Sequence, residues 1–314
     1  MIPFNEAPAQ AGALLLTAAI LAGCVTPQVA ELHARPDPEL APRVELASVP
    51  FFPQEDYQCG PAALATVLRY AGVETTPEAL LKIVYVPARE GSLQAEMLSG
   101  ARRHGMVAYR LSTRLTDLLK EVAAGHPVVV FQNLSFSFAP VWHYAVVIGY
   151  DLERDEIVLR SGVTERLAVT LSNFERTWAR GQNWAMLPLS PRRLPVTAAP
   201  DEYVRAVAAL ERINPAAARQ AYETALARWP EHLVARVGLG NAAYALRDLA
   251  AAESAYRRAT RDHPQAADAW NNLAQVLFEL ARKSEAREAV QRAVDLGGPR
   301  VATYRETLKT IESK

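Results

Sequence analysis

Hydrophobic residues follow two different spacings in the first two thirds of the chain, and each spacing indicates one kind of element. Apolar side chains three or four positions apart predict helices, whereas short runs of β-branched and aromatic residues predict strands. The predicted helices cover residues 61–70, 76–84, 92–104 and 115–124. The predicted strands follow at 126–133, 143–151 and 156–162, with the last two joined as a hairpin. Helices followed by antiparallel strands are typical of an α+β domain, which we expect to span residues 49–189.

Beyond residue 200 the strand pattern disappears and a repeat begins. Alanine, tyrosine and proline recur every 34 positions: Tyr222, Ala225 and Pro230 as Tyr256, Ala259 and Pro264, and Ala218 as Ala252 and Ala286. Alanine at a crossing point lets two helices approach closely, and proline ends the second helix of each pair. This period is the signature of tetratricopeptide repeats. The sequence therefore predicts an all-α repeat domain at 201–314, with a degenerate first repeat, after a proline-rich linker at 190–200.

The N-terminal segment is apolar but short. Residues 11–22 carry no charge, yet a membrane-spanning helix needs roughly 20 apolar residues, and the shorter length suits a secretory signal. The segment runs into Leu21-Ala22-Gly23-Cys24, which resembles the lipobox of bacterial lipoproteins. The resemblance implies removal of residues 1–23 and a lipid on Cys24. Because Val25 rather than Asp follows, it also implies the periplasmic side of the outer membrane rather than the inner one.

Other interpretations of this segment stay open. The first ten residues contain no Lys or Arg and include Glu6, whereas a signal peptide normally begins with positive charge. Either the start codon lies elsewhere or the signal is weak, and an uncleaved anchor or a buried helix is the alternative. Residues 24–48 are rich in Pro and Ala and lack a clear period, so we expect a tether between the lipid and the first folded element, with ordered structure beginning near Val49.

Charge and cysteine content narrow the classes of function. Lys and Arg balance Asp and Glu at 34 each, which gives no support for nucleic-acid binding. A lipid on Cys24 would leave the second cysteine, Cys59, without a disulfide partner in an oxidising compartment; a Cys24–Cys59 disulfide is the alternative. No group of Cys and His has zinc spacing, and the sequence predicts neither a metal nor another cofactor.

Cys59 is the strongest candidate for chemistry. Pro61 favours the start of a helix there, and the unpaired N–H groups of a helix N-terminus favour a thiolate. We therefore expect a lowered thiol pKa and, at Gly60, room for a substrate backbone; a structural cysteine is the alternative. Among the six histidines, His143 opens an apolar strand and is the best placed base. We interpret the others as solvated, capping or structural: His33, His104, His126, His232 and His263.

Two stretches of sequence together resemble a known family. FPQEDYQCGPAALATVLRYAG, from residue 52 to 72, and WHYAVVIGYD, from 142 to 151, are similar to the C39 family of cysteine peptidases. These are papain-like enzymes that remove double-glycine leaders from bacteriocins. The resemblance implies a papain-like fold for residues 49–189, less than half of the chain. No ATP-binding glycine motif accompanies this domain, unlike in the bacteriocin exporters.

The resemblance also implies roles for individual residues. Cys59 would be the nucleophile and His143 the general base, while Gln54 and the amide of Cys59 would donate to the oxyanion; Gln58 is an alternative donor. The family usually places Asp or Asn on the strand after the histidine, whereas this chain has Ser161 there. A serine hydroxyl can orient an imidazole, but it cannot stabilise an imidazolium as a carboxylate does.

Three functions fit these residues. The first is a lipid-anchored envelope cysteine peptidase whose repeats recruit a peptide or protein substrate or another protein partner. The second is a catalytically inactive binding or scaffold protein that keeps the cleft, and the missing Asp or Asn favours it. The third is acyl transfer by the same Cys–His pair.

Asp151 lies at the far end of the strand of His143, and we interpret it as a turn residue.

Overall fold

The computed structural model describes residues 26–53 and 58–313. The helices in these ranges are α1 Pro27–Ala34, α2 Cys59–Tyr70, α3 Pro77–Val84, α4 Gln94–Arg103, α5 Leu115–Ala123, α6 Leu171–Arg180, α7 Pro200–Glu211, α8 Pro215–Arg228, α9 Leu233–Ala245, α10 Leu249–Asp262, α11 Ala267–Glu279, α12 Lys283–Leu296 and α13 Val301–Ser313. The strands are β1 Arg43–Glu45, β2 Tyr85–Val86, β3 Gly91–Ser92, β4 Val107–Arg110, β5 Val128–Asn133, β6 Trp142–Asp151, β7 Glu156–Ser161, β8 Thr164–Thr170 and β9 Ala185–Leu189. A region with an antiparallel sheet precedes an all-helical region, which confirms the predicted α+β domain followed by helical repeats.

One antiparallel sheet organises the first region. Its strands run in the order β4-β9-β5-β6-β7-β8, and β1 also pairs with β6. Side chains of β6 alternate between the two faces of the sheet: Tyr144, Val146 and Ile148 enter one hydrophobic core, whereas Ala145 and Val147 enter the other. Both faces are therefore covered, which explains the continuous apolar run in the sequence of this strand.

Helices cover the two faces of the sheet. α2, α3 and α4 pack on the face of Tyr144, and α1, α5 and α6 pack on the opposite face. α2 is buried continuously from Gly60 to Leu68, so its start is fixed by packing along nearly its whole length. Thr76 caps α3, because its hydroxyl accepts a hydrogen bond from the N–H of Ala79 at 3.3 Å.

Residues 26–48 contain a helix and a strand, so the expectation that ordered structure begins near Val49 is wrong. α1 buries Val29 and Leu32 beside α5 and α6. The buried carboxylate of Glu175 accepts hydrogen bonds from the N–H groups of Gln28 and Val29 at 3.0 and 2.8 Å, and β1 extends the sheet. A helix of eight residues with two buried positions shows no detectable hydrophobic period in the sequence. The carboxylate that stabilises its N-terminus, that of Glu175, belongs to a distant part of the chain.

The seven predicted elements of this region agree with the structure within two residues at each end. β4, β8, β9 and α6 were not predicted, and β4 lies between two helices, so helices and strands interleave more than expected. β4 and β9 are short, and β8 is largely polar, which hides the alternation that indicates a strand. Trp178 and Trp184 are both buried, and Nε1 of Trp178 donates to the carbonyl of Trp184 at 2.9 Å.

The helices after residue 200 form antiparallel pairs, α7–α8, α9–α10 and α11–α12, followed by α13. The alanines that recur with the repeat are fully buried: Ala218, Ala225, Ala252, Ala259, Ala286 and Ala293. Gly240 shows how close the packing is, because a Cβ atom there would lie 2.4 Å from Cε1 of Tyr256. The small residues of the repeat therefore serve helix contact, as the sequence predicted.

The first repeat helix joins the two regions. Tyr203 on α7 lies between Tyr109 of β4 and Trp229, with ring centroids 6.4 and 6.0 Å apart. One hydrophobic core continues from the sheet through α7 to α9, so the linker at 190–199 joins two regions that pack together. Within the described ranges, no helix combines the length and hydrophobicity needed to cross a membrane.

Candidate active site

Cys59 is the first residue of α2 and is half-buried. Gly60, which follows it, is buried. A Cβ atom at position 60 would lie 2.3 Å from Oγ and 2.5 Å from Cβ of Ser92. The room expected at Gly60 for a substrate backbone is therefore already filled by β3, and glycine serves close packing at the helix start.

Burial raises the pKa of the Cys59 thiol, whereas the backbone N–H groups of Tyr144, Gly60 and Cys59 itself act in the opposite direction. The predicted decrease in the thiol pKa is thus wrong, because the cost of burying a thiolate exceeds the effect of the helix N-terminus. The contribution of the Tyr144 N–H also locates the sulfur. It lies beside the peptide bond that joins His143 to Tyr144.

His143 is the second residue of β6 and is half-buried. Its Nε2 atom lies 2.9 Å from Oγ of Ser161. When Nε2–H donates this hydrogen bond, Nδ1 carries the lone pair that can accept a thiol proton. Burial lowers the pKa of His143 to about 4, so the imidazole is neutral at neutral pH. These two shifts describe a neutral thiol at Cys59 and a neutral imidazole at His143.

Ser161 ends β7 and occupies the place where the family pattern has Asp or Asn. The hydrogen bond to His143 shows that its hydroxyl can orient the imidazole. Asp151 lies at the other end of β6, where its carboxylate accepts from the N–H groups of Glu153 and Arg154 at 3.1 and 3.0 Å. It is a turn residue, as predicted.

Two of the predicted site residues lie outside the described residues. Gln54, the expected oxyanion donor, falls in the gap between residues 53 and 58, and Cys24, the expected lipidation site, precedes residue 26. Their roles stay predictions. The alternative donor Gln58 directly precedes Cys59 at the start of α2.

The other histidines have structural partners, as their sequence positions indicated. His126 forms a buried pair with Glu121, with Nδ1 2.7 Å from Oε2. The remaining contacts join His33 to Asp155, His104 to the carbonyl of Gly100, His232 to Asp201 and to the N–H of Ala235, and His263 to the carbonyl of Glu231. None of these contacts involves Cys59 or Ser161.

Arg160 is a positioning residue that the sequence analysis did not single out. Its buried guanidinium donates to backbone carbonyls of Ala47, Val49 and Glu165, at distances between 2.6 and 3.2 Å. These bonds attach the segment that leads toward Cys59 to the strand that carries Ser161. The detectable signal was an arginine inside the apolar strand IVLRSG, since a charged residue is rarely buried without partners.

Family models match both regions of the chain. A model described as the Peptidase_C39 like family matches residues 46–186. A tetratricopeptide-repeat model matches residues 203–259 and 237–300. The two matches agree with the motifs around Cys59 and His143 and with the 34-residue period.

Known proteins are similar to part of this chain. An uncharacterized protein of Methanothermobacter thermautotrophicus is 32% identical over 120 residues, which cover 38% of this chain and 75% of the relative. A structure from Bacillus anthracis, described as a candidate C39-like peptidase, is 22% identical with a TM-score of 0.39, covering 47% of this chain and 97% of that one. A double-glycine-motif protease from an AMS/PCAT transporter, solved with a leader peptide, is 21% identical with a TM-score of 0.34, covering 45% and 93%. Each similarity covers less than half of this chain.

Proposed function

We propose that this chain, which contains a Peptidase_C39-like domain and tetratricopeptide repeats, is a cysteine peptidase that uses Cys59 and His143. One arrangement carries the proposal: the Cys59 sulfur lies beside the N–H of Tyr144, while the adjacent His143 is hydrogen-bonded to Ser161. In this proposal a nucleophile from α2, a base from β6 and an orienting group from β7 act together. These three elements belong to the packed core, so the geometry is held rigidly.

Catalysis in this proposal starts from the neutral pair. As Sγ of Cys59 attacks the peptide carbonyl, the thiol proton passes to Nδ1 of His143 and the carbonyl electron pair moves onto oxygen. The N–H of Cys59 donates to this oxyanion at the helix start, and the family resemblance adds the side chain of Gln54. The C–N bond then breaks, the imidazolium gives its proton to the leaving amine, and a thioester remains.

Hydrolysis of the thioester completes the cycle. Water attacks the acyl carbon while His143 takes the water proton, and the returning proton restores the Cys59 thiol as the acid product leaves. Ser161 keeps the ring in position during both steps. Because its hydroxyl carries no charge, it stabilises the imidazolium less than a carboxylate would, and we expect slower turnover than in family members with Asp or Asn.

A second candidate function follows from the same observations. Ser161 in place of a carboxylate and a thiol pKa raised by burial both favour a protein that binds a peptide in the cleft without cutting it. In either case the repeats would recruit a peptide or protein through their helical surface. The balanced charge gives no reason to include nucleic acid among the partners.

The lipobox supports a proposal about location. A lipid on Cys24 would hold the chain at the bacterial envelope on the periplasmic side, with the outer membrane favoured by Val25. The lipobox supports membrane attachment by this lipid alone, at a position two residues before Thr26.

The decisive experiment compares envelope proteins from cells that produce the wild-type chain, the Cys59→Ala variant or the His143→Ala variant. Mass spectrometry of protein N-termini should find new termini with the wild type and lose them in both variants. Identical sets of termini in all three strains contradict a peptidase. If the wild type and Cys59→Ala also capture the same envelope peptide, that result supports the second candidate function, peptide binding without cleavage.

A further inference from the structure

Exposed hydrophobic side chains border the candidate site. We define the apolar rim as Leu134, Phe136, Phe138, Val141, Trp142 and Val163. Five of these residues lie on or directly after the loop between β5 and β6, and Val163 lies in the turn between β7 and β8. The rim contains six of the eleven large hydrophobic residues that are exposed in the described part of the chain. Trp142 directly precedes His143, so the rim lies at the edge of the site.

The loop holds its aromatic rings outward in a fixed conformation. The side-chain oxygen of buried Asn133 accepts from the N–H groups of Ser135 and Val141 at 3.0 and 2.9 Å. Phe136 and Phe138 stack on each other with centroids 5.3 Å apart and are 63% and 86% exposed. Side chains this exposed project from the surface rather than line a cleft. The rings are thus presented to a partner outside the protein.

Charge around the loop favours a lipid surface as that partner. No residue from 133 to 142 is charged. Beside the loop, α6 exposes Arg176 and Arg180, and Arg180 donates to the carbonyl of Ser135 at 2.9 Å. The acidic residue of the same helix, Glu175, is buried beneath α1. Projecting aromatic rings flanked by arginines suit the interface of a bilayer that contains anionic lipids.

The same helix connects the loop to the point where the described chain begins. Oγ1 of Thr26 lies 3.3 Å from Oγ of Ser172 in the first turn of α6, while Arg180 at the other end contacts the loop. The eight-residue rise between them is about 12 Å. Cys24 precedes Thr26 by two residues, at most about 7 Å of extended chain. A lipid on Cys24 and the apolar rim can therefore reach the same bilayer.

We propose that the apolar rim inserts into the interface of an anionic bilayer and holds Cys59 and His143 at the membrane surface. The substrates of the proposed peptidase would then be peptides or protein segments that lie on the membrane. Insertion of the rim requires no catalysis, and the proposed lipid anchor serves only to orient the rim. The inference can therefore fail or succeed separately from the proposed function.

Vesicle binding of the full chain tests the inference. All proteins carry Cys24→Ser so that no lipid is attached, and the probe is vesicles of phosphatidylethanolamine and phosphatidylglycerol. The double variant Phe136→Ser with Phe138→Ser should reduce partitioning about tenfold or more, because two rings leave the interface. The matched control, Ile213→Ser with Val234→Ser, removes two exposed apolar side chains from the repeat region and should leave partitioning within about twofold.

A fluorescent label measures insertion at the rim itself. With Cys24→Ser and Cys59→Ala as background, an environment-sensitive dye on Phe138→Cys should shift its emission to the blue when vesicles are added, while the dye on Val234→Cys should not. Equal partitioning of the two double variants, with no shift at position 138, would overturn the proposal. So would rim variants that lose only cleavage of a soluble peptide, or only self-association in sedimentation, while vesicle binding stays intact.

Discussion

The imidazoles of His126 and His143 each contact a side-chain oxygen, and these two oxygens differ in kind. His126 lies 2.7 Å from the buried carboxylate of Glu121, which also accepts from the N–H and hydroxyl of Thr197 at 2.7 and 2.6 Å. His143 lies 2.9 Å from the hydroxyl of Ser161. The carboxylate therefore fastens the linker to the sheet region, whereas the hydroxyl contacts the candidate base.

These two oxygens show that orienting an imidazole and stabilising its positive charge are separate effects. A carboxylate beside an imidazole favours its protonated form and raises its pKa, whereas a hydroxyl fixes the ring without adding charge. Burial therefore dominates at His143 and lowers its pKa to about 4. A base of this kind is correctly oriented but weak, and it accepts the thiol proton only when the sulfur attacks.

The largest expected difference between His126 and His143 appears when each is replaced by alanine. His143→Ala should lower kcat/KM for a cleaved peptide by about 10²- to 10⁴-fold with little change in stability, because its side chain is only half-buried. His126→Ala removes a hydrogen-bond partner of a buried carboxylate and should lower the free energy of unfolding by about 1–3 kcal/mol. Urea unfolding and peptide hydrolysis of both variants measure the two effects. Full stability of His126→Ala together with loss of hydrolysis would reverse the two assigned roles.

Giving His143 a carboxylate partner should change the activity less than His143→Ala does, and it should increase the activity. In Ser161→Asp the negative charge favours the imidazolium, so the pKa of His143 should rise and kcat should increase about tenfold. His143 must be neutral to accept a proton, so the acid limb of the pH–rate profile should move from near pH 4 to higher pH. Thr164→Asp is the matched control, because Thr164 pairs with Ser161 across the β7–β8 turn and is exposed. An acid limb that stays in place in Ser161→Asp would show that His143 is not the base.

Local sequence patterns were sufficient for the main elements of the site. Pro61 and the apolar spacing indicated the start of α2, and the continuous apolar run indicated β6, so Cys59 and His143 were placed correctly on their elements. Ser161 followed from the order of the strands, and its contact with His143 agrees with that prediction. The catalytic roles of the three residues stay predictions.

Features that depend on distant contacts could not be predicted. α1 is completed by Glu175, about 146 residues away, so residues 26–48 looked like a tether. The thiol pKa was expected to fall because a helix N-terminus is a local feature, whereas the burial that raises it comes from packing against β6. The space beside Gly60 depends on where β3 places Ser92. None of these contacts leaves a periodic pattern in the sequence.

The pH dependence of Cys59 alkylation tests the neutral thiol–imidazole pair most directly. With Cys24→Ser, Cys59 is the single thiol, and iodoacetamide labelling can be followed by mass spectrometry between about pH 5 and pH 10. We expect slow labelling at neutral pH and one rise with a midpoint above that of an ordinary exposed cysteine, because burial raises the pKa of the thiol. Adding His143→Ala should leave the labelling rate at neutral pH unchanged. Fast labelling at a plateau near pH 6 that His143→Ala abolishes would reveal a thiolate–imidazolium pair and contradict the account.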